Sequence, residues 1–368
     1  MTIHPAFYQY IQQHHQVPFV DFMQQALYNP HYGYYMSANP QLGKSGDFIT
    51  APELTPLFGA TIARAIRQVM TLKSAAIFEF GAGTGRLCVS LLETLERLEC
   101  LPDAYYILDV SGALQQRQQA YIQQAIPHLY ERIHWLSRWP TTPFNGVIIA
   151  NEVLDAMPVH RFCLNTAGLH EVYIQATRDG QLSECLRAPD AQLQTYIETH
   201  LQTLEPPYQS EVNLLLPAWF EQCYNMLNQG VMLIFDYGFP RHEYYHPSRH
   251  EGTLMCHAQH HTHSQVLHNP GQEDLTAHVD FTHAAESAFA AGFVIAGYTN
   301  QAAFLLSSGL LDELALLPEG INRIQANQAV KMLTHPSEMG ELFKVLLLSK
   351  QWPDTLPGFQ LQDKRASL

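Results

Sequence analysis

From Ala75 onward the hydrophobic positions follow two alternating patterns. Short apolar runs without helical period occur at 75–80, 105–110, 132–136, 146–150 and 231–236, and they predict buried parallel strands. Between them the apolar residues adopt helical spacing, as in Leu87, Leu91, Leu92, Leu95 and Leu98, which predicts helices over 84–98, 111–125 and 217–227. Strand and helix in alternation mean βαβ units around a parallel sheet. Upstream, residues 4–30 read as helical, with the stripe Phe19, Phe22, Met23, Ala26 and Leu27, and a further helix spans 57–70. The aromatics of His31-Tyr32-Gly33-Tyr34-Tyr35 read as packing residues. Residues 161–210 break the alternation, with strands at 161–164 and 171–174, a hairpin turn at Arg178-Asp179-Gly180-Gln181 and a helix near 190–204. Residues 239–281, rich in His, Tyr and Pro, show little period and read as a long loop. A helix near 282–291, a strand over 293–298 and a last strand within 343–348 follow.

The junction of the first strand and helix carries the chemistry. Glu79-Phe80-Gly81-Ala82-Gly83-Thr84-Gly85 places three alternating glycines between them. Glycine permits positive φ and lets a ligand approach the backbone, and the free amides of a helix start favour ligand oxygens. The spacing is G-x-G-x-G, distinct from the dinucleotide pattern G-x-G-x-x-G, so a plain strand–helix turn remains the alternative. Asp109, at the end of the next strand, supplies an acid that can accept hydrogen bonds from both ribose hydroxyls of an adenosine cofactor. Together these features resemble a class I S-adenosylmethionine-dependent methyltransferase. The fourth strand delivers Asn151-Glu152-Val153-Leu154-Asp155, and the fifth delivers Asp236-Tyr237-Gly238. Polar residues therefore recur where strands end, the edge at which open α/β sheets bind ligands. Thr50 to Glu53 has the form of a helix N-terminus, with Pro52 in the first turn. Gly43-Lys44-Ser45 lacks both the earlier glycine and the preceding strand of a phosphate loop.

Composition narrows the classes. The chain has 368 residues, 46% hydrophobic and only 15% charged, with a formal net charge of −14. Nucleic-acid binding, which needs a basic face, is not expected, whereas a basic substrate fits. Six scattered cysteines without a C-x-x-C pair read as reduced thiols. No apolar run reaches membrane-spanning length, and the first residues show neither a secretory nor a transit signal, so a cytoplasmic protein is expected. The segment Cys256-His257-Ala258-Gln259-His260-His261-Thr262-His263 invites a zinc reading, but its local spacings match no standard site, and no metal is expected.

Several blocks, in order along nearly the whole chain, resemble the MidA-like methyltransferases (the DUF185 group), relatives of the mitochondrial complex I assembly factor with protein-arginine methyltransferase activity. They are Leu27 to Tyr35, Gly46 to Glu53, Glu79 to Gly85, Asn151 to His160, Asp236 to Gly238, Gly252 to Leu254, Asp274 to Phe281 and Gly340 to Val345. Asp109 stands where that family more often has Glu, and Ser111-Gly112 where it usually has Ser-Pro. The resemblance implies an α/β fold, a Rossmann-like seven-stranded class I methyltransferase sheet with an N-terminal helical cap and an inserted α+β subdomain on the substrate side. The expected organisation is a cap with a cofactor-covering loop over 1–70, core at 71–160, an insert at 161–210, core with the His-rich loop at 211–350, and a tail at 351–368.

The resemblance also implies S-adenosyl-L-methionine as cofactor and a protein arginine as methyl acceptor. A non-catalytic assembly factor that keeps the fold and cofactor site is the alternative. The expected cofactor contacts are Thr50, Pro52, Glu79, Gly81, Gly83, Gly85, Asp109 and Asn151. The expected catalytic carboxylates are Glu152, Asp155 and Asp47. Methyl transfer is a displacement at an already activated carbon, so the enzyme mainly positions and desolvates. An arginine acceptor stays protonated in water, and carboxylates could orient it and draw charge from the attacking nitrogen. Glu152 and Asp155, three apart, would share a face if a helical turn starts there. The expected partners are a protein substrate, by resemblance a respiratory-complex subunit, and a second copy in a homodimer, with no nucleic acid and no membrane span.

Overall fold

The computed structural model describes residues 3–36, 50–258, 261–353 and 355–368. Seven strands form the main sheet: β1 (Ala75–Phe80), β2 (Ala104–Leu108), β3 (Ile133–Leu136), β4 (Phe144–Asn151), β5 (Leu227–Phe239), β6 (Val294–Asn300) and β7 (Phe343–Lys350). Their order is β3-β2-β1-β4-β5-β7-β6. Only β7 runs antiparallel to its neighbours, pairing Leu233 with Leu347 and Ile234 with Leu346. A two-residue strand, Val279–Asp280, adds to the end of β5.

The central strands are apolar throughout because both faces of the sheet are covered, and successive side chains point to opposite faces. Ile77, Val147, Ile149, Leu233 and Phe235 face helices Leu57–Ile66 and Arg86–Arg97. Phe78, Ile148, Met232 and Ile234 face helices Leu216–Met226 and Phe281–Ala291. Residues 111–125, read as a helix, form one over Gly112–Ala125, capped by the Ser111 hydroxyl.

Two expectations change. The segment 4–30 is not continuously helical: strand Gln16–Pro18 separates helices Pro5–His14 and Phe19–Tyr28 and pairs with Gly168–Ala176. The N-terminal helices thus share a second sheet with the inserted strands His160–Asn165, Leu182–Arg187 and Tyr208–Val212. Residues 239–281 are not one long loop either. Met255–Ala258, His261–His263 and Asp274–Thr276 form a three-stranded sheet that packs on the N-terminal helices through Leu254, Cys256 and Leu275. Among the described residues no helix is long and apolar enough to cross a membrane.

Candidate active site

At the carboxyl ends of β1, β2 and β4 lies a cavity of about 310 Å³. Its floor is the glycine turn. Gly81 and Gly83 have φ of +58° and +53°, and a Cβ on either would meet nothing within 4 Å. Positive φ over open space is the geometry in which a ligand can lie against bare backbone. Gly85 differs: with φ +87° it begins helix Arg86–Arg97, and a Cβ there would sit 3.2 Å from Ile122. It packs against helix Gly112–Ala125 and does not line the cavity.

Glu79 lines the floor, and the Tyr105 hydroxyl donates to its Oε2 at 2.7 Å. Burial pushes its carboxyl up to about 8, Tyr105 opposing and Asp109 adding to the rise. Asp109 follows β2 directly. Its Oδ1 accepts from the Ser111 amide at 2.9 Å and its Oδ2 from Gln118 at 2.8 Å. Burial raises this carboxyl too, against those two donors. Thr50 and Pro52 stand on the rim, in the short helix Ala51–Leu54 and its cap. Glu53 ties that rim to the floor, accepting from Thr84 and pairing with Arg86 at 2.9 Å. A half-exposed ion pair of this kind stabilises by only about 0.2–1 kcal/mol, so its effect here is positional.

The other wall is acidic. β4 ends at Asn151, and the chain turns at Glu152 with φ +52°, a conformation uncommon outside glycine that clusters at functional sites. Asn151 donates to the Glu152 carboxylate at 3.2 Å, and both residues line the cavity. Burial, then the charge of Asp155, push Glu152 up to about 8, with donors from Asn151 and the Ala51 amide opposing.

The expected helical turn carrying Glu152 and Asp155 on one face is absent, because a different residue organises the segment. Asp236, at the end of β5, accepts through Oδ2 from the amides of Val153, Leu154 and Asp155 at 3.2, 2.9 and 3.3 Å. Three backbone donors on one oxygen bend the chain into a turn instead of a helix. Asp155 therefore points away from the cavity lining, its Oδ2 accepting from the Tyr237 hydroxyl at 2.5 Å. Its Oδ1 is buried without a hydrogen-bond partner among the described residues, and burial raises its carboxyl to about 6. Tyr35, read from the sequence as packing, lines the cavity and donates to Asp274 at 2.8 Å, bringing a further buried acid toward this wall. Tyr28 lines the cavity as well and donates to the Ala156 carbonyl at 2.8 Å. Asp47 and His260 lie outside the described residues.

Gln118 was missed by sequence reasoning. Fully buried, it donates to Asp109 and to the Gly83 carbonyl at 3.0 Å, and it accepts from the Trp135 indole at 2.9 Å. The signal was present: Leu114, Gln118 and Ile122 form the buried stripe of their helix, and an amide inside an apolar stripe asks for partners. Trp139 and Trp219, each 5.2 Å from Phe80 between ring centroids, form an aromatic wall that no local pattern marks.

A family model described as S-adenosyl-L-methionine-dependent methyltransferase matches residues 57–299. A COG1565 superfamily protein from Burkholderia thailandensis, solved bound to S-adenosyl-homocysteine, is 36% identical with a TM-score of 0.93, over 99% of this chain and 96% of its own. The human mitochondrial protein arginine methyltransferase NDUFAF7 is 29% identical over 94% of this chain and 81% of its own length. The Drosophila melanogaster homolog is 28% identical over 90% and 81%. Both curated relatives are mitochondrial, which overturns the expectation of a cytoplasmic protein.

Proposed function

The chain belongs to the family of S-adenosyl-L-methionine-dependent methyltransferases matched over residues 57–299, and from that premise we propose that it methylates an arginine side chain of a protein substrate, with Glu152 as the carboxylate that receives the guanidinium. The observation that carries this is the half-buried Glu152 carboxylate on the cavity wall opposite the glycine floor, backed by the buried Asp155 and Asp236. A cationic acceptor would supply a counter-charge that this wall lacks among the described residues and draw Glu152 into its ionised form. The relatives named as protein arginine methyltransferases agree with that chemistry.

When bound, the cofactor supplies a methyl group on a positively charged sulfur. Gly81 and Gly83 let its amino-acid and ribose portions lie against backbone, a space that any Cβ would fill. Glu79 would face the cofactor's amino group and Asp109 would accept from the ribose hydroxyls, with Gln118 holding Asp109 in place. Thr50 and Pro52 cover the cavity, and Asn151 orients Glu152. Glu152 in turn fixes the acceptor nitrogen in line and draws positive charge toward its far side. Asp155 acts through Tyr237 as a positioning residue behind that wall.

The test is calorimetric binding of S-adenosyl-L-methionine, followed by transfer of labelled methyl to cell extract and mapping of the modified side chain. Methylated arginine supports the reading. Label on another residue type overturns the acceptor class, and tight binding with no transfer to any protein overturns the catalytic reading in favour of an assembly role.

A further inference from the structure

The three-stranded sheet built from 255–276 carries a cluster that the methyltransferase reading does not use. The ligand-capable atoms of Cys256, His263 and Glu273 lie within 4.8 Å of one another. Cys256 and His263 are directly opposed across the antiparallel pair Met255–Ala258 and His261–His263. Glu273 comes from the residue preceding the third strand and meets His263 Nε2 at 3.0 Å through Oε2. His268 stands beside them, its Nδ1 3.8 Å from Glu273 Oε1 and its ring perpendicular to that of His263. Asn269 donates to the same Oε1 at 2.6 Å and fixes the carboxylate's orientation.

We infer that Cys256, His263 and Glu273 form a zinc site, with His268 or water as the fourth ligand. The donor set suits the ion: a thiolate, an imidazole and a carboxylate are the ligands that zinc takes in tetrahedral geometry. Zinc–ligand bonds of about 2.0–2.3 Å put tetrahedral ligand atoms roughly 3.5 Å apart, so His263 and Glu273, now 3.0 Å apart, would open slightly while Cys256 moves in by about 1.3 Å at most. The charges balance: binding displaces the Cys256 proton to solvent, and thiolate plus carboxylate cancel the two positive charges of the ion. In the metal-free chain the buried thiol holds that proton, pushed up to about 12 by burial and then by Glu273 and Asp274.

This small sheet packs on the N-terminal helices through Leu254, Cys256 and Leu275, and a metal would add to that hold. Its strands are three or four residues long and carry few apolar side chains. A metal joining the first strand, the second and the entry to the third would staple all three. The staple would also fix Asp274, the neighbour of Glu273, which receives the Tyr35 hydroxyl at the cavity wall. The local spacings C-x-x-x-H and H-x-H gave no reason for a site, because the ligands come from three separated segments.

The experiment uses the full chain without a histidine tag, stripped by chelation and equilibrated with zinc against a competing chelating dye. A stoichiometric zinc should be retained, and melting temperature should rise with it and fall on chelation. Cys256→Ser and Glu273→Gln should weaken retention by roughly 100-fold or more. His128→Ala, which removes a surface histidine–carboxylate pair with no cysteine, should retain zinc as before. Cobalt(II) in the unmodified protein should give a thiolate-to-metal charge-transfer band, a readout independent of whether any variant folds. A protein that holds no zinc against the dye, a cobalt spectrum without the thiolate band, or folded Cys256→Ser and Glu273→Gln variants that hold as much zinc as the unmodified protein would each overturn the site.

Discussion

On one side of the cavity, Glu79, Gly81, Gly83 and Asp109 come from a single strand–turn–helix–strand unit, and each occupies a strand end or the turn itself. On the other side, the turn that follows Glu152 is set by its amides donating to Asp236 from another strand, and Tyr35 reaches an aspartate 239 positions away. The first wall is defined by backbone conformation, the second by long-range carboxylate contacts. A backbone-defined wall should fail when a side chain is added. A contact-defined wall should fail when a charge is removed. Substitutions on the two walls should therefore separate cleanly in a pair of assays.

The largest effect is expected for Glu152→Gln, which keeps the shape and removes the charge. Turnover should fall by roughly 10²–10³-fold while cofactor affinity and melting temperature move little. A loss of cofactor affinity as large as the loss of rate would erase the distinction between the walls.

Next comes Gly83→Val. Its Cβ would enter the cavity, and a β-branched residue at φ +53° is strained by about 1–3 kcal/mol, so cofactor binding should fall by about 100-fold or more with the fold intact. Gly85→Val sharpens the comparison, because its Cβ meets Ile122. It should lower melting temperature more and binding less, as read by calorimetry on the two variants side by side.

Asp109→Ala should weaken cofactor binding by about 1–3 kcal/mol, the scale of losing charge-assisted hydrogen bonds, and leave turnover at saturating cofactor nearly unchanged. A fall in saturated turnover as large as that of Glu152→Gln would place Asp109 functionally on the wrong wall.

The smallest effect is a pH dependence. Glu79 and Glu152 hold their protons to about 8 in the cofactor-free protein, whereas in the unfolded chain they release them near 4.5. Between those values the native state binds more protons, so their contribution is fully present below about 4.5 and is lost as pH rises through about 8. Melting temperature of the cofactor-free protein should fall over that window, and either carboxylate-to-amide substitution should flatten the slope. Added cofactor should flatten only the Glu79 share, because its amino group favours that carboxylate's ionised form.

What the sequence disclosed follows the same division. The run 75–80 is strand from Ala75 to Phe80 as expected, and the glycine turn and Asp109 were readable because each lies in an unbroken local pattern. The main sheet was legible for the same reason, since its central strands each contain an apolar run. The direction of Asp155 was not legible because it depends on Asp236, 81 positions later, whose claim on its amide no spacing rule contains. The small sheet in 239–281 escaped because its strands are too short and too polar to show a period. Tyr35 does pack, against Tyr28 and Tyr34, but its further partner Asp274 could not be read from its neighbours in the chain.

Gln118 has a consequence for which changes this chain can tolerate. One amide gives two hydrogens, to Asp109 and Gly83, and receives one, from Trp135, so its orientation is settled. A glutamine codon becomes a glutamate codon by a single base change, and that exchange would turn both donors into acceptors and set a carboxylate against Asp109. Gln115 of the same helix donates to the Asp109 carbonyl at 2.8 Å, whereas Gln116, Gln119, Gln123 and Gln124 are exposed or half-exposed and can drift. Within one helix, then, lineages should be free to scatter at four glutamines and be held most tightly at Gln118.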